Sequence, residues 1–399
     1  MAFSVSNRQL MIAGLLSGAL IGSYTTWKAM RTAETTPRST ELIDWNRARR
    51  IATSMNQEAA LSAGQRAALD REYQTLVERT VPLVAAYTGE ELPYPLDQTF
   101  AFDRVDWINA NIDSFRAMFD PIEGLNLKLN DRVPAAIGNA WTSLNQTVVS
   151  TEMGFMLGYL ARRVLGQYDL ALLGREPMER SGKLYFVHPN IRNMERHLGV
   201  PADQFRLWLA LHETTHAFEF ECHPWLRDYM NSLLQEYFTY LSNDLEYLKR
   251  GMDAIRMFRE RLRQGSSESG SWIEMVMTPE QRQLFARMQA MMSVVEGYSN
   301  HVMNAVGRDL MPDYTLIAKR FEQRQANRSS AEQLFARLTG LDVKLEQYRM
   351  GERFINTVVD QRGHDFARRV WEGPDFLPTL EEIRSPELWI HRIDAGPNV

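Results

Sequence analysis

Residues 209–220 read LALHETTHAFEF, and the rest of the chain is best interpreted outward from them. His212 and His216 stand four apart, with Glu213 directly after the first. On a helix such a pair shares one face, with about 5–6 Å between Cβ atoms, so both imidazoles can converge on one ion. Neutral imidazole suits zinc, which at reactive sites takes three protein ligands and keeps a position for water. Glu213 lies about 100° further round the helix, within reach of that water as a proton acceptor and later a donor. The flanks agree with a helix: Pro201-Ala202-Asp203 opens it, and it stops near Glu221, before Pro224.

A third ligand is required, and several positions compete for the role. A local pattern with Gly and His three and six residues after His216 fails, because Glu219 and Cys222 stand there. His223 falls one residue late and reads as a cation at a helix C-terminus. Glu219 shares the face of His216 and is either an outer partner of that ligand or a solvated carboxylate. The distal stretch 294–301, VVEGYSNH, offers Glu296 on a later helix, an arrangement similar to that of gluzincins. Asn300, four residues on, stands where such sites carry an acid that orients a ligating histidine. The apolar run MQAMMSVV before Glu296 directs its carboxylate inward, where a buried acid needs a partner. Gly297 next to it costs about 1 kcal/mol in a helix, which is tolerable where a second helix approaches closely. His301 sits about 140° round from Glu296, too far for both to bind one ion, and His188 is a remoter alternative. Tyr298 faces nearly opposite to Glu296 and reads as core.

Secondary structure beyond this pair of helices is mostly helical. Amphipathic helix is expected over 41–87, helix over 107–119, a long apolar helix over 133–164 and helix over 226–263. Thr278-Pro279-Glu280-Gln281 caps a helix toward Gly307, and further helices cover 314–322, 330–338 and 345–360. Gly154 and Gly158 permit close packing on the 133–164 helix, which reads as buried core and not as a membrane span. The best strand is Lys183 to Pro189, KLYFVHP, either an edge for an extended peptide or an ordinary buried strand. The expected fold is therefore mainly α (α+β), many helices with a small sheet.

Bulk properties narrow the function. A net charge of −5 and a pI near 6.0 argue against a nucleic-acid partner. The single cysteine, Cys222, excludes an internal disulfide framework and a multi-cysteine metal site. Residues 10–27 are apolar and uncharged, close to the length that spans a bilayer. A membrane anchor, a signal peptide and a packed helix all fit them; Lys28, Arg31 and Arg38 after the run place the body on the cytoplasmic side. The expectation is a cytoplasmic or membrane-associated protein, with export as the alternative. Residues 1–40 form the hydrophobic segment and a polar linker, and residues 41–399 form one domain.

Several separated blocks carry a resemblance to a bacterial zincin-like zinc-dependent metallopeptidase family. They are Ile43-Asp44-Trp45, Val105-Asp106-Trp107 with Asn109 and Asn111, Arg163 to Asp169 (RVLGQYD), Tyr185 to Ile191 (YFVHPNI), LALHETTHAFEF, VVEGYSNHVMNAVG and LEQYRMGERF. Members are often labelled zinc-dependent metalloprotease, or hydrolase associated with deazaflavin coenzyme biosynthesis. The resemblance implies a zincin-type domain with His212, His216 and Glu296 on zinc, Glu213 as general base, and a peptide or protein substrate. Asn300 and Asn304 depart from the acids usual near the ligand Glu. An inactive zincin-fold scaffold or peptide-binding module is the alternative.

Overall fold

The computed structural model describes residues 43–58, 60–116, 135–168, 183–243, 278–326 and 343–396. The hydrophobic stretch 10–27, the helix expected at 330–338 and the distal part of the 226–263 helix lie outside them. Two compact units emerge, residues 1–57 with 119–160, and residues 58–118 with 161–399.

The first unit contains helix α1, Trp45–Ser54, and helix α3, Ala135–Ala161. Asp44 caps α1 by accepting from the Arg47 amide at 2.9 Å. The two glycines four apart on α3 let α1 come close: a Cβ at Gly154 would lie 2.7 Å from Ile51 Cβ, and one at Gly158 would lie 3.2 Å from Ala52 Cα. Asn56 Nδ2 closes the seam by donating to Ala52 O and Gly158 O, at 2.8 and 3.0 Å. The expected burial of α3 is only half correct, since Val148 and Phe155 are about half exposed.

The second unit is built around α5, Ala202–Cys222. Fourteen of its 21 residues are buried, so it is covered on nearly every side and shows little amphipathic contrast. Helix α2, Ala63–Thr88, lies along it, and the buried Thr80 and Thr214 hydroxyls meet at 2.7 Å. The helical region expected over 41–87 holds two helices, and Ser62 and Gln65 form a reciprocal capping box that starts the second, α2.

A three-stranded sheet covers part of α5, in the order β1 (Gln98–Phe102), β3 (Lys183–Val187), β2 (Gly166–Tyr168). β1 pairs parallel with β3, and β2 pairs antiparallel with it. Of the two readings of β3, the buried strand holds: it is the central strand, buried from Leu184 to Val187, while the edge beside α5 is β2. The strand also ends earlier than expected, because His188 begins helix α4, His188–Leu198, with Pro189 in its first turn. Helix α6, Trp225–Asn243, follows α5.

Helix α7, Pro279–Leu310, opens on the Thr278–Gln281 capping box and crosses α5. Helix α8, Tyr314–Ala326, follows it, and α9, Val343–Arg362, packs along it. The α7–α9 crossing is tight: a Cβ at Gly297 would lie 2.2 Å from the Gly351 carbonyl carbon. That contact accounts for a glycine in mid-helix beside Glu296. Short helical turns from His364 onward end in Pro386–Ala395. Among the described residues no helix is long and apolar enough to cross a membrane.

Candidate metal centre

Adjacent turns of α5, carrying His212 and His216, and the middle of α7, carrying Glu296, bring the expected ligand residues together. His212 Nε2 and His216 Nε2 lie 3.2 Å apart, and His216 Nε2 is 3.9 Å from Glu296 Oε2. One ligand atom from each residue lies within 4.8 Å of the others. Ligands about 2.0–2.1 Å from a tetrahedral ion sit about 3.4 Å from one another. The three side chains therefore fit a zinc-sized cation with only small adjustments, and both imidazoles already present the same nitrogen to a common point.

The outer nitrogens are held by other groups. His216 Nδ1 lies 2.7 Å from Glu219 Oε2, three residues along the same helix. Glu219 is 1% exposed, so the solvated reading of that residue is wrong. His212 Nδ1 lies 3.2 Å from Ser299 Oγ on α7 and 3.1 Å from Met303 Sδ. Its ring also lies parallel to Trp208 one turn earlier, with centroids 6.1 Å apart. The orienting role expected of Asn300 thus falls to Glu219 and Ser299. Ser299 shares a face with Glu296, three residues on, and as a neutral hydroxyl carries no charge signal in the sequence.

Burial sets the electrostatics. It carries the Glu213 carboxyl up to about 7, with Glu296 adding to the rise while His216 and the backbone amide of Tyr168 oppose it. Desolvation disfavours charge on His216 too, yet Glu219, with Glu296 and Glu213 behind it, raises that imidazole to about 9. His212 goes the other way, held well below the usual histidine range by burial and by His216. The site thus sets two histidines among buried carboxylates, with burial lowering the proton affinity of His212 and Glu219 raising that of His216. A divalent cation would compete with the proton on His216.

The remaining candidates lie elsewhere. His301 is bonded to Tyr87 Oη at 2.7 Å and to Asn356 Oδ1 at 2.6 Å, away from the ligand group. His188 meets Tyr73 Oη at 3.0 Å under the sheet. Buried Tyr298 reaches His364, Cys222 points to the Glu91 carbonyl, and His223 pairs with Glu90 at 3.2 Å and stacks on Trp371.

A helical unit with a small sheet and a two-histidine, one-carboxylate cluster fits a metal-dependent hydrolase. The family model for zincin-like metallopeptidases matches residues 43–390, and the chain belongs to that family. A crystal structure from Chloroflexus aurantiacus, described as a proposed hydrolase with a novel fold, is similar at 42% identity and a TM-score of 0.67. The match covers 88% of this chain and 99% of that one. No curated protein matched.

Proposed function

We propose that the chain is a zinc-dependent hydrolase that cleaves peptide or other amide bonds, with Glu213 as general base. The observation that carries this reading is the convergence of His212 Nε2, His216 Nε2 and Glu296 Oε2 beside a buried carboxylate. His212, His216 and Glu296 would hold the ion, with Glu219 and Ser299 fixing the imidazole tautomers from outside. Zinc bound there supplies Lewis acidity, polarising a carbonyl and lowering the pKa of water toward about 7.

Glu213 does the proton work. Its carboxylate, 5% exposed and packed against Gly166, accepts a proton from the attacking water and returns it to the leaving amine. Burial excludes competing water and keeps the group's affinity for a proton matched to neutral pH. Neither Cys222 nor His301 reaches the cluster, so neither closes the fourth position that turnover requires. The substrate class is a peptide or protein, and residues 10–27 ahead of the domain would bring the enzyme to a membrane surface.

The test is hydrolysis of a quenched-fluorescent peptide mixture by zinc-loaded wild type and Glu213→Gln. The reading expects cleavage by wild type and loss of at least about 100-fold in the variant with metal content unchanged. Equal rates in the two proteins would refute it.

A further inference from the structure

Strand β2 is three residues long, yet each residue has an assignment. Gln167 at its centre is pinned from outside the sheet: its Oε1 accepts from Trp107 Nε1 at 2.7 Å and its Nε2 donates to Asn111 Oδ1 at 3.2 Å. Asn111 is in turn fixed by donating to the Trp107 carbonyl at 2.9 Å. Tyr168 donates its hydroxyl to Glu221, two helical turns further along α5, and its backbone amide opposes the rise of the Glu213 carboxyl.

Gly166 supplies what the other two cannot. A Cβ placed there would lie 2.3 Å from Glu213 Oε1, 2.6 Å from Cδ and 2.7 Å from Cγ. The three nearest atoms all belong to that one side chain. The backbone of Gly166 is not in the left-handed region, so no conformational demand requires glycine here. The missing side chain leaves the volume that the Glu213 carboxylate fills.

We propose that β2 is a clamp on Glu213, in which Gly166 is a positioning residue that leaves room for the carboxylate on a strand anchored through Gln167 and Tyr168. The catalytic consequence rests on Glu213 being the general base; the steric coupling does not. The clamp holds the base against a pinned strand, so that the carboxylate keeps one rotamer through a reaction cycle instead of sampling the cleft.

The experiment is a set of thermal midpoints for Gly166→Ala in three backgrounds: wild type, Glu213→Gln and Glu213→Ala. In wild type the added methyl meets the carboxylate, and the midpoint falls by about 5 °C. Glutamine has the size of glutamate, so the same fall persists in Glu213→Gln. In Glu213→Ala the obstacle is gone, and the exchange becomes neutral or slightly stabilising, as alanine restricts the unfolded chain. Should Gly166→Ala alone fail to fold, recovery of folding in the double variant with Glu213→Ala supports the clamp equally. An equal fall in all three backgrounds, or a double variant that also fails to fold, overturns it.

A second measurement addresses the catalytic role. Zinc-loaded Gly166→Ala, or that protein at a lower temperature where it folds, keeps about one zinc per chain while kcat on the peptide mixture drops at least about 10-fold and KM moves little. Loss of zinc with activity would contradict positioning. If wild type cleaves nothing, the general-base reading fails while the midpoints still decide the clamp.

Discussion

Glu219 Oε2 lies 2.7 Å from His216 Nδ1, so a buried carboxylate on α5 itself fixes the outer face of a candidate ligand imidazole. The pair is local, three residues apart, and independent of the α7 crossing that brings Glu296. Glu219→Gln keeps the size but removes the charge that makes His216 a stronger donor to the ion. Zinc affinity should fall by about 10- to 100-fold, measured by competition with a chelator of known strength. Asn300→Ala, which removes no contact to either histidine, should leave affinity within about 3-fold. Comparable losses in both variants would contradict the assignment.

Ser299 offers the corresponding partner to His212, at 3.2 Å. Ser299→Ala leaves only Met303 Sδ beside Nδ1, so the imidazole loses its better acceptor. A smaller loss of affinity is expected, about 3- to 10-fold, and Ser299→Thr should restore part of it.

Gly297 and Gly351 mark where α7 and α9 touch backbone to backbone. A methyl at Gly297 would fall 2.2 Å from the Gly351 carbonyl carbon, and neither helix can yield without its neighbours. Gly297→Ala should cost about 2–4 kcal/mol in denaturant unfolding, well outside the range for an ordinary helix glycine, where alanine stabilises. A stabilised variant would show the helices to be further apart.

The metal-free protein should lose stability as pH rises above about 6.5. His216, raised to about 9 in the folded state, keeps a proton that the unfolded chain has released, and that advantage disappears as pH climbs through 9. The Glu213 carboxyl acts in the same sense between its ordinary range and about 7. His212, depressed, opposes them only below the usual histidine pKa, where the unfolded chain takes up a proton. Zinc binding displaces the proton on His216, so it strengthens over the same interval. The gap between metal-loaded and metal-free midpoints should therefore widen from pH 6.5 to 9; a constant gap would contradict these assignments.

How much of this was readable from the sequence differs by residue. His212, Glu213 and His216 were legible because a helix converts a spacing of four into a shared face, and Glu296 because an apolar run precedes a lone acid. Glu219 was legible only as a choice between two readings, since burial depends on α7, which lies 60 residues beyond. The actual edge strand, β2, carries no strand signal in the sequence. β2 is three residues, too short for alternation to register, whereas β3 carries the β-branched and aromatic signal of a strand buried on both sides. A glycine inside GQY hints at close approach, but only the fold shows that the neighbour is Glu213. The start of α2 is legible in the spacing of Ser62 and Gln65, that of a capping box.

The most direct test of the central claim is metal content of the purified protein, wild type beside His216→Ala and Glu296→Ala. The geometry predicts about one zinc per wild-type chain and loss from both variants, with His301→Ala retaining it. A folded wild type that takes up no zinc would contradict the metal centre, and zinc retained by Glu296→Ala would remove Glu296 from it.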